Sequence, residues 1–107
     1  MAGLAEFTDS RGRSPFRRWF NALDAVAAAR VATALYRMEQ GNFSGVKLLG
    51  SGIAECRIDA GPGYRVYFGR LDERTLVLPG GGTKRRQQRD IDACRRRWRE
   101  LLLRMGR

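Results

Sequence analysis

Residues 53–70, IAECRIDAGPGYRVYFGR, read as two β-strands joined by a tight turn, and the length of that turn decides which side chains share a face. A five-residue turn, Asp59 to Gly63, sets Ile58 opposite Tyr64, Arg57 opposite Arg65, Cys56 opposite Val66 and Glu55 opposite Tyr67. That register keeps Ala54, Cys56, Ile58, Val66 and Phe68 on one face. A four-residue turn pairs Arg57 with Val66 and mixes the faces, which burial opposes. The longer turn is therefore expected, with Arg57 and Arg65 side by side on the other, open face. Like charges directly opposite cost a few tenths to about 1 kcal/mol, so something must compensate them. Glu55 or Asp59 can do so internally; a bound phosphate is the functional alternative. Tyr67 on the same face offers a ring on which a base can stack. Tyr64 falls inward by alternation, yet lies at the turn.

Working outward from the hairpin, the chain divides without a linker or an internal repeat, and a single domain is expected over residues 1–107. Leu4, Ala5 and Phe7 are compatible with a short edge strand. Ser14 then caps a helix from Pro15 to Leu23 whose Phe16, Trp19, Phe20 and Leu23 make an apolar stripe. Asp24 caps a second helix, with Ala27, Val31, Ala34, Leu35 and Met38 on one face and Gly41 as its stop. The two read as a helical hairpin. GNFSGVKLLGSG, residues 41–52, is glycine-rich and reads as a loop carrying Lys47. A third strand is expected from Arg74 to Leu78, ending in PGGG. The last helix runs from about Lys84 to Met105, with Ile91, Cys94, Trp98, Leu101 and Met105 along one stripe.

Charge narrows the class of partner. The formal net charge is +10 with no histidine, and nineteen of the twenty-one basic residues are arginine, whose planar fork grips phosphate bidentately. Nucleic acid fits this balance best, ahead of an anionic membrane surface or an acidic protein. Ten basic and three acidic residues lie between Lys84 and Arg107, a run that reads first as a solvated helix face. At its start Lys84, Arg85 and Arg86 are the phosphate-binding candidates. The glycines before them lack the order of a phosphate-binding loop. Cys56 and Cys94 have no metal-ligand spacing and read as buried apolar residues, so neither a metal nor another cofactor is expected. No apolar run suits a membrane and the N-terminus lacks the order of a signal peptide; a cytoplasmic location is expected.

With no histidine and no paired acids, most hydrolase templates are closed. RNA cleavage stays open because the substrate carries its own nucleophile, the 2′-hydroxyl. Such a site needs alignment, cations facing the developing phosphorane charge, and a proton carrier. Lys84, Lys47, Glu55 or a tyrosine can fill that last role; arginine, with a pKa above about 12, does not.

The phrases GNFSGVKLLGSGIAECRIDAGPGYRVYFGR and GGTKRRQQRDI, within a likeness running from DSRGRSPFRRWF through RDIDACRRRW, resemble the RelE/HigB-type toxins of type II toxin–antitoxin systems, in the phage-derived branch of addiction-module killer proteins. The resemblance implies an α+β (α/β) domain with a RelE-like fold: two N-terminal helices on a mainly antiparallel sheet, then a C-terminal helix. It implies a ribosome-dependent mRNA endoribonuclease that needs no metal or other cofactor, acts on mRNA in the ribosome and is restrained by a helix-turn-helix antitoxin. Carried over by motif, the sheet arginine falls on Arg65, the preceding basic position on Arg57, the loop lysine on Lys47 and the basic residue after the last strand on Lys84, with Tyr64 and Tyr67 as neighbouring aromatics. Arg65, Arg57, Lys84 and Tyr67 are thus the expected catalytic set, and Lys47, Tyr64, Arg85 and Arg86 the expected RNA contacts. Two alternatives stand beside this: a module that binds RNA or ribosomes without cutting, and a degenerate toxin that retains only antitoxin binding.

Overall fold

A computed structural model describes residues 2–107 as a five-stranded mixed sheet with helices on both faces. Chain order is β1 (Gly3–Glu6), α1 (Pro15–Asn21), α2 (Ala25–Glu39), β2 (Val46–Gly50), β3 (Ile53–Ile58), β4 (Tyr64–Asp72), β5 (Thr75–Thr83), a 3₁₀ turn (Lys84–Arg86) and α3 (Gln87–Arg104). In space the strands run β1-β5-β4-β3-β2. β2 to β5 form an antiparallel meander and β1 joins β5 in parallel.

The β3–β4 register is the one the five-residue turn demands, with Ile58 across from Tyr64, Arg57 from Arg65, Cys56 from Val66 and Glu55 from Tyr67. Both early helices start at the expected caps. The Ser14 hydroxyl accepts from the Arg17 N–H at 3.0 Å, and the Asp24 carboxylate from the Ala27 N–H at 2.8 Å. α1 lies on β5 while α2 lies on β3 and β1, so each docks on the sheet instead of forming a free-standing hairpin. Together they bury Phe16, Val31 and Met38 against Ala54, Cys56, Val66, Phe68 and Leu76.

Three expectations are corrected. Residues 46–50 are not loop: β2 pairs with β3 through Val46–Cys56, Lys47–Glu55 and Leu48–Ala54. Glycine content hid it, because Gly45, Gly50 and Gly52 shape the two ends of a short strand that has one bulge. The third sheet strand does not stop at Leu78 but continues through Pro79 and three glycines to Thr83. The most consequential correction concerns the face bearing Arg65, which is not open. α3 crosses it and seals a second core of Phe7, Ile53, Tyr67, Val77, Ile91, Cys94 and Trp98.

The glycines explain how both layers come so close. A Cβ on Gly81 collides with the Trp19 ring, and one on Gly82 with the Asp90 carboxylate from the opposite side. At Gly69 a Cβ would lie 2.6 Å from the Trp98 ring. These strand glycines mark close approach by neighbouring layers, the usual reason for glycine inside a sheet. Arginines of α3 then fasten the helix through backbone carbonyls: Arg97 Nη1 donates to Pro79 at 2.9 Å, Arg95 Nη2 to Leu49 at 2.5 Å and Arg104 Nη1 to Thr8 at 2.9 Å. Much of the basic run of the last helix is therefore structural.

Trp98 joins α3 to the glycine gaps at Gly69 and Gly52, so its removal leaves a cavity across two strands. Trp98→Ala is expected to destabilise the domain by about 3–5 kcal/mol, read as a lowered denaturation midpoint.

Candidate nucleic-acid interface

The cation cluster is assembled by the β3–β4 turn. Gly63, at φ 78, takes a left-handed conformation that side chains other than glycine rarely adopt, and its carbonyl accepts from two groups. Arg65 Nη1 donates to it at 3.0 Å and the backbone N–H of Lys84 at 3.1 Å. One turn carbonyl thus holds the sheet arginine and the first residue of the 3₁₀ turn beside each other. Across the sheet from Arg65 stands Arg57, and next to Glu55 stands Lys47. Lys47, Arg57, Lys84, Arg85 and Arg86 are all exposed.

Arg65 itself is not solvent-facing. It is only 7% exposed, and its Nε donates to Glu55 Oε1 at 3.1 Å inside the structure. Gln87 Nε2 donates to the other oxygen, Glu55 Oε2, at 2.9 Å. The strain of adjacent arginines is relieved internally: Glu55 takes Arg65, while Arg57 Nε donates to Asp59 at 3.2 Å. The two pairs differ in kind. Arg57 and Asp59 are 61% and 86% exposed, and such a surface pair contributes little, so Arg57 stays available to an anion. The Arg65–Glu55 pair is buried and prices its own disruption high, because either partner alone becomes an uncompensated buried charge. Its gain is orientation: with Nε and Nη1 engaged, Nη2 of Arg65 is left to meet solvent or a ligand.

The two tyrosines leave the interface. Tyr67 is fully buried beneath α3, with its hydroxyl unpartnered among the described residues. Desolvation, reinforced by Glu55, pushes that hydroxyl far above its ordinary value, so it neither stacks on a base nor transfers a proton. Tyr64 sits on the opposite face from Arg65, where its ring meets Trp19 edge-on at a centroid distance of 6.4 Å. Glu55 is likewise unfit as a base, since it is buried with both oxygens engaged. Lys47 and Lys84 are then the proton carriers still standing from the candidates of the sequence. Sequence reasoning missed Gln87 and Gly63, whose parts depend on the fold bringing α3 and the turn to Glu55 and Arg65. The one available signal was a glycine immediately before a strand rich in large side chains.

The cysteines are free, buried and on opposite faces of the sheet. Burial pushes the Cys94 thiol up to about 12 and raises Cys56 as well.

This fold and this cluster define a small three-layer α+β protein with a cation-rich end on one sheet face. No family model matches the chain. An uncharacterized protein of Haemophilus influenzae (strain ATCC 51907 / DSM 11121 / KW20 / Rd) is 38% identical over 77 residues, a span covering 71% of this chain and 78% of that protein. The chain belongs to the same family as that protein.

Two outcomes test the site's construction. Glu55→Ala is expected to destabilise the fold by about 3–5 kcal/mol, whereas Arg57→Ala leaves the denaturation midpoint nearly unchanged. Thiol-alkylating reagents at neutral pH are expected to modify neither cysteine until denaturant is added, which mass spectrometry reads directly.

Proposed function

We propose that this protein is a RelE/HigB-type toxin: an endoribonuclease that cleaves mRNA in the ribosome without a metal and arrests translation, and that a small helix-turn-helix antitoxin restrains. The observation that carries the reading is the convergence at Gly63, where one carbonyl sets Arg65 beside Lys84 while the register sets Arg57 across from Arg65. The likeness of GPGYRVYF and of its flanking phrases to that family supports it, as does a net charge of +10 suited to RNA. Two helices before the antiparallel meander and one after it are the features of the α+β fold that support this reading.

In this reading the RNA 2′-oxygen attacks the adjacent phosphorus, the bond from phosphorus to the 5′-oxygen breaks, and a cyclic phosphate and a 5′-hydroxyl result. The proton of the 2′-hydroxyl leaves as that bond forms, and the departing 5′-oxygen gains one. Arg57 and the free Nη2 of Arg65 stabilise the charge that develops on the phosphorane oxygens, and the donor geometry of Arg65 is set before substrate arrives. Lys84 and Lys47 are the groups left to carry protons to and from the two oxygens.

Primer extension on mRNA held by programmed ribosomes tests this. The wild type is expected to cut within the A-site codon and to leave naked RNA intact. Arg57→Ala and Lys84→Ala each lower the cleavage rate by about 10²-fold or more, while Tyr67→Phe cuts at the wild-type rate because that hydroxyl is buried. Arg65→Ala is expected to lose cleavage together with stability, as it orphans Glu55. A wild type that binds ribosomes and cuts nothing overturns the nuclease in favour of a binding module.

A further inference from the structure

A cleft of about 420 Å³ lies between α2 and the end of β3, walled on its third side by the loop that leads into β2. Arg30 and Arg37, two turns apart on α2, stand at its rim, and Arg57 closes it from the sheet. Asp59 is the one carboxylate there, and its pair with Arg57 is exposed on both sides. Neither Arg30 nor Arg37 has an acidic partner among the described residues. Met38 and Ile58 lie at its base, almost wholly covered, beside the polar Thr33, Asn42 and Ser44. Three arginines line the cleft against one loosely held carboxylate, a charge balance that suits an anion.

We propose that this cleft binds a single-stranded nucleic-acid segment, seating backbone phosphates on Arg30 and Arg37. The inference rests on the RNA reading above through Arg57, which belongs both to the cleft and to the sheet-end cluster. Arg57 makes the two sites continuous: a strand whose scissile phosphate lies at Arg65 and Lys84 passes Arg57 and enters the cleft with its flanking nucleotides. A polymer with regularly repeated phosphates matches such a row of cations, and arginine's fork matches phosphate. An acidic peptide answers the charge but lacks a regularly repeated anion, and it is the competing outcome of the test below.

The test uses a 12-nucleotide 2′-O-methyl oligouridylate, which lacks the internal nucleophile and so reports binding whether or not the protein is a nuclease. Fluorescence anisotropy follows its Kd for the full chain between about 50 and 200 mM salt. The double variant Arg30→Gln/Arg37→Gln is expected to weaken binding at least tenfold at the lower salt and to reduce the slope of log K against log salt by about 1.4, near 0.7 for each lost phosphate contact. Arg96→Gln/Arg99→Gln removes the same charge from exposed positions on α3 and is expected to leave the slope at the wild-type value. Equal losses in both double variants, no binding by the wild type, or an unaltered slope in the α2 variant each overturn the cleft. Displacement of the oligomer by a polyglutamate peptide at lower concentration than by unlabelled oligomer also overturns it and assigns the cleft to an acidic protein. A wild type that binds as expected but never cuts ribosome-bound mRNA removes the nuclease reading and leaves the cleft standing.

Discussion

The absence of a Cβ along one stretch of β5 is the constraint from which the rest of this molecule follows. Gly81 admits the Trp19 ring from one side, and Gly80 and Gly82 admit Cys94 and Asp90 of α3 from the other. Because no side chain holds the layers apart, α3 lies directly on the sheet and buries Tyr67 completely. The same close approach delivers Gln87 to Glu55, at the margin of the covered area. What stays exposed on that face is the end carrying Lys47, Arg57 and the turn after β5. The candidate interface is thus what a tightly docked helix leaves over.

At that margin the Arg65–Glu55 pair does two things at once. It neutralises a buried guanidinium, without which burial of the charge would be prohibitive. It also fixes the direction in which the remaining nitrogen points, and orientation of donors before a substrate arrives is where electrostatic catalysis draws its strength. Arg57 is held by one exposed carboxylate and keeps its mobility. Two arginines that sit opposite each other in the register therefore play different parts: one is a fixed donor at the edge of the core, the other an adaptable one at the surface that links sheet and cleft.

The local devices of the fold were legible because each depends on few neighbouring residues. Ser14 and Asp24 cap the helices they precede, and the turn length follows from which face must be apolar. β2 was obscured because its short segment, Val46 to Leu49 with Lys47 inside it, sits between glycines whose turns and bulge mask the alternation. The continuation of β5 was obscured for a related reason: Pro79 and three glycines carry the composition of a loop, and only the approach of Trp19 and Asp90 explains why a strand needs them. Leu48, 83% exposed, shows that alternation on an edge strand does not guarantee burial.

By itself the sequence determined the helices, the five-residue turn, the β3–β4 register and the excess of positive charge, since these rest on periodicity, capping and composition. Only the tertiary structure decided which of the register's residues reach solvent. Arg57 and Arg65 look equivalent in the alternation, as do Tyr67 and any solvent-facing ring. They are separated by α3, which arrives from the far end of the chain and covers one sheet face partway. Exposure is a property of the packed layers: it depends on contacts between residues distant in sequence, and no local pattern encodes where a covering helix ends.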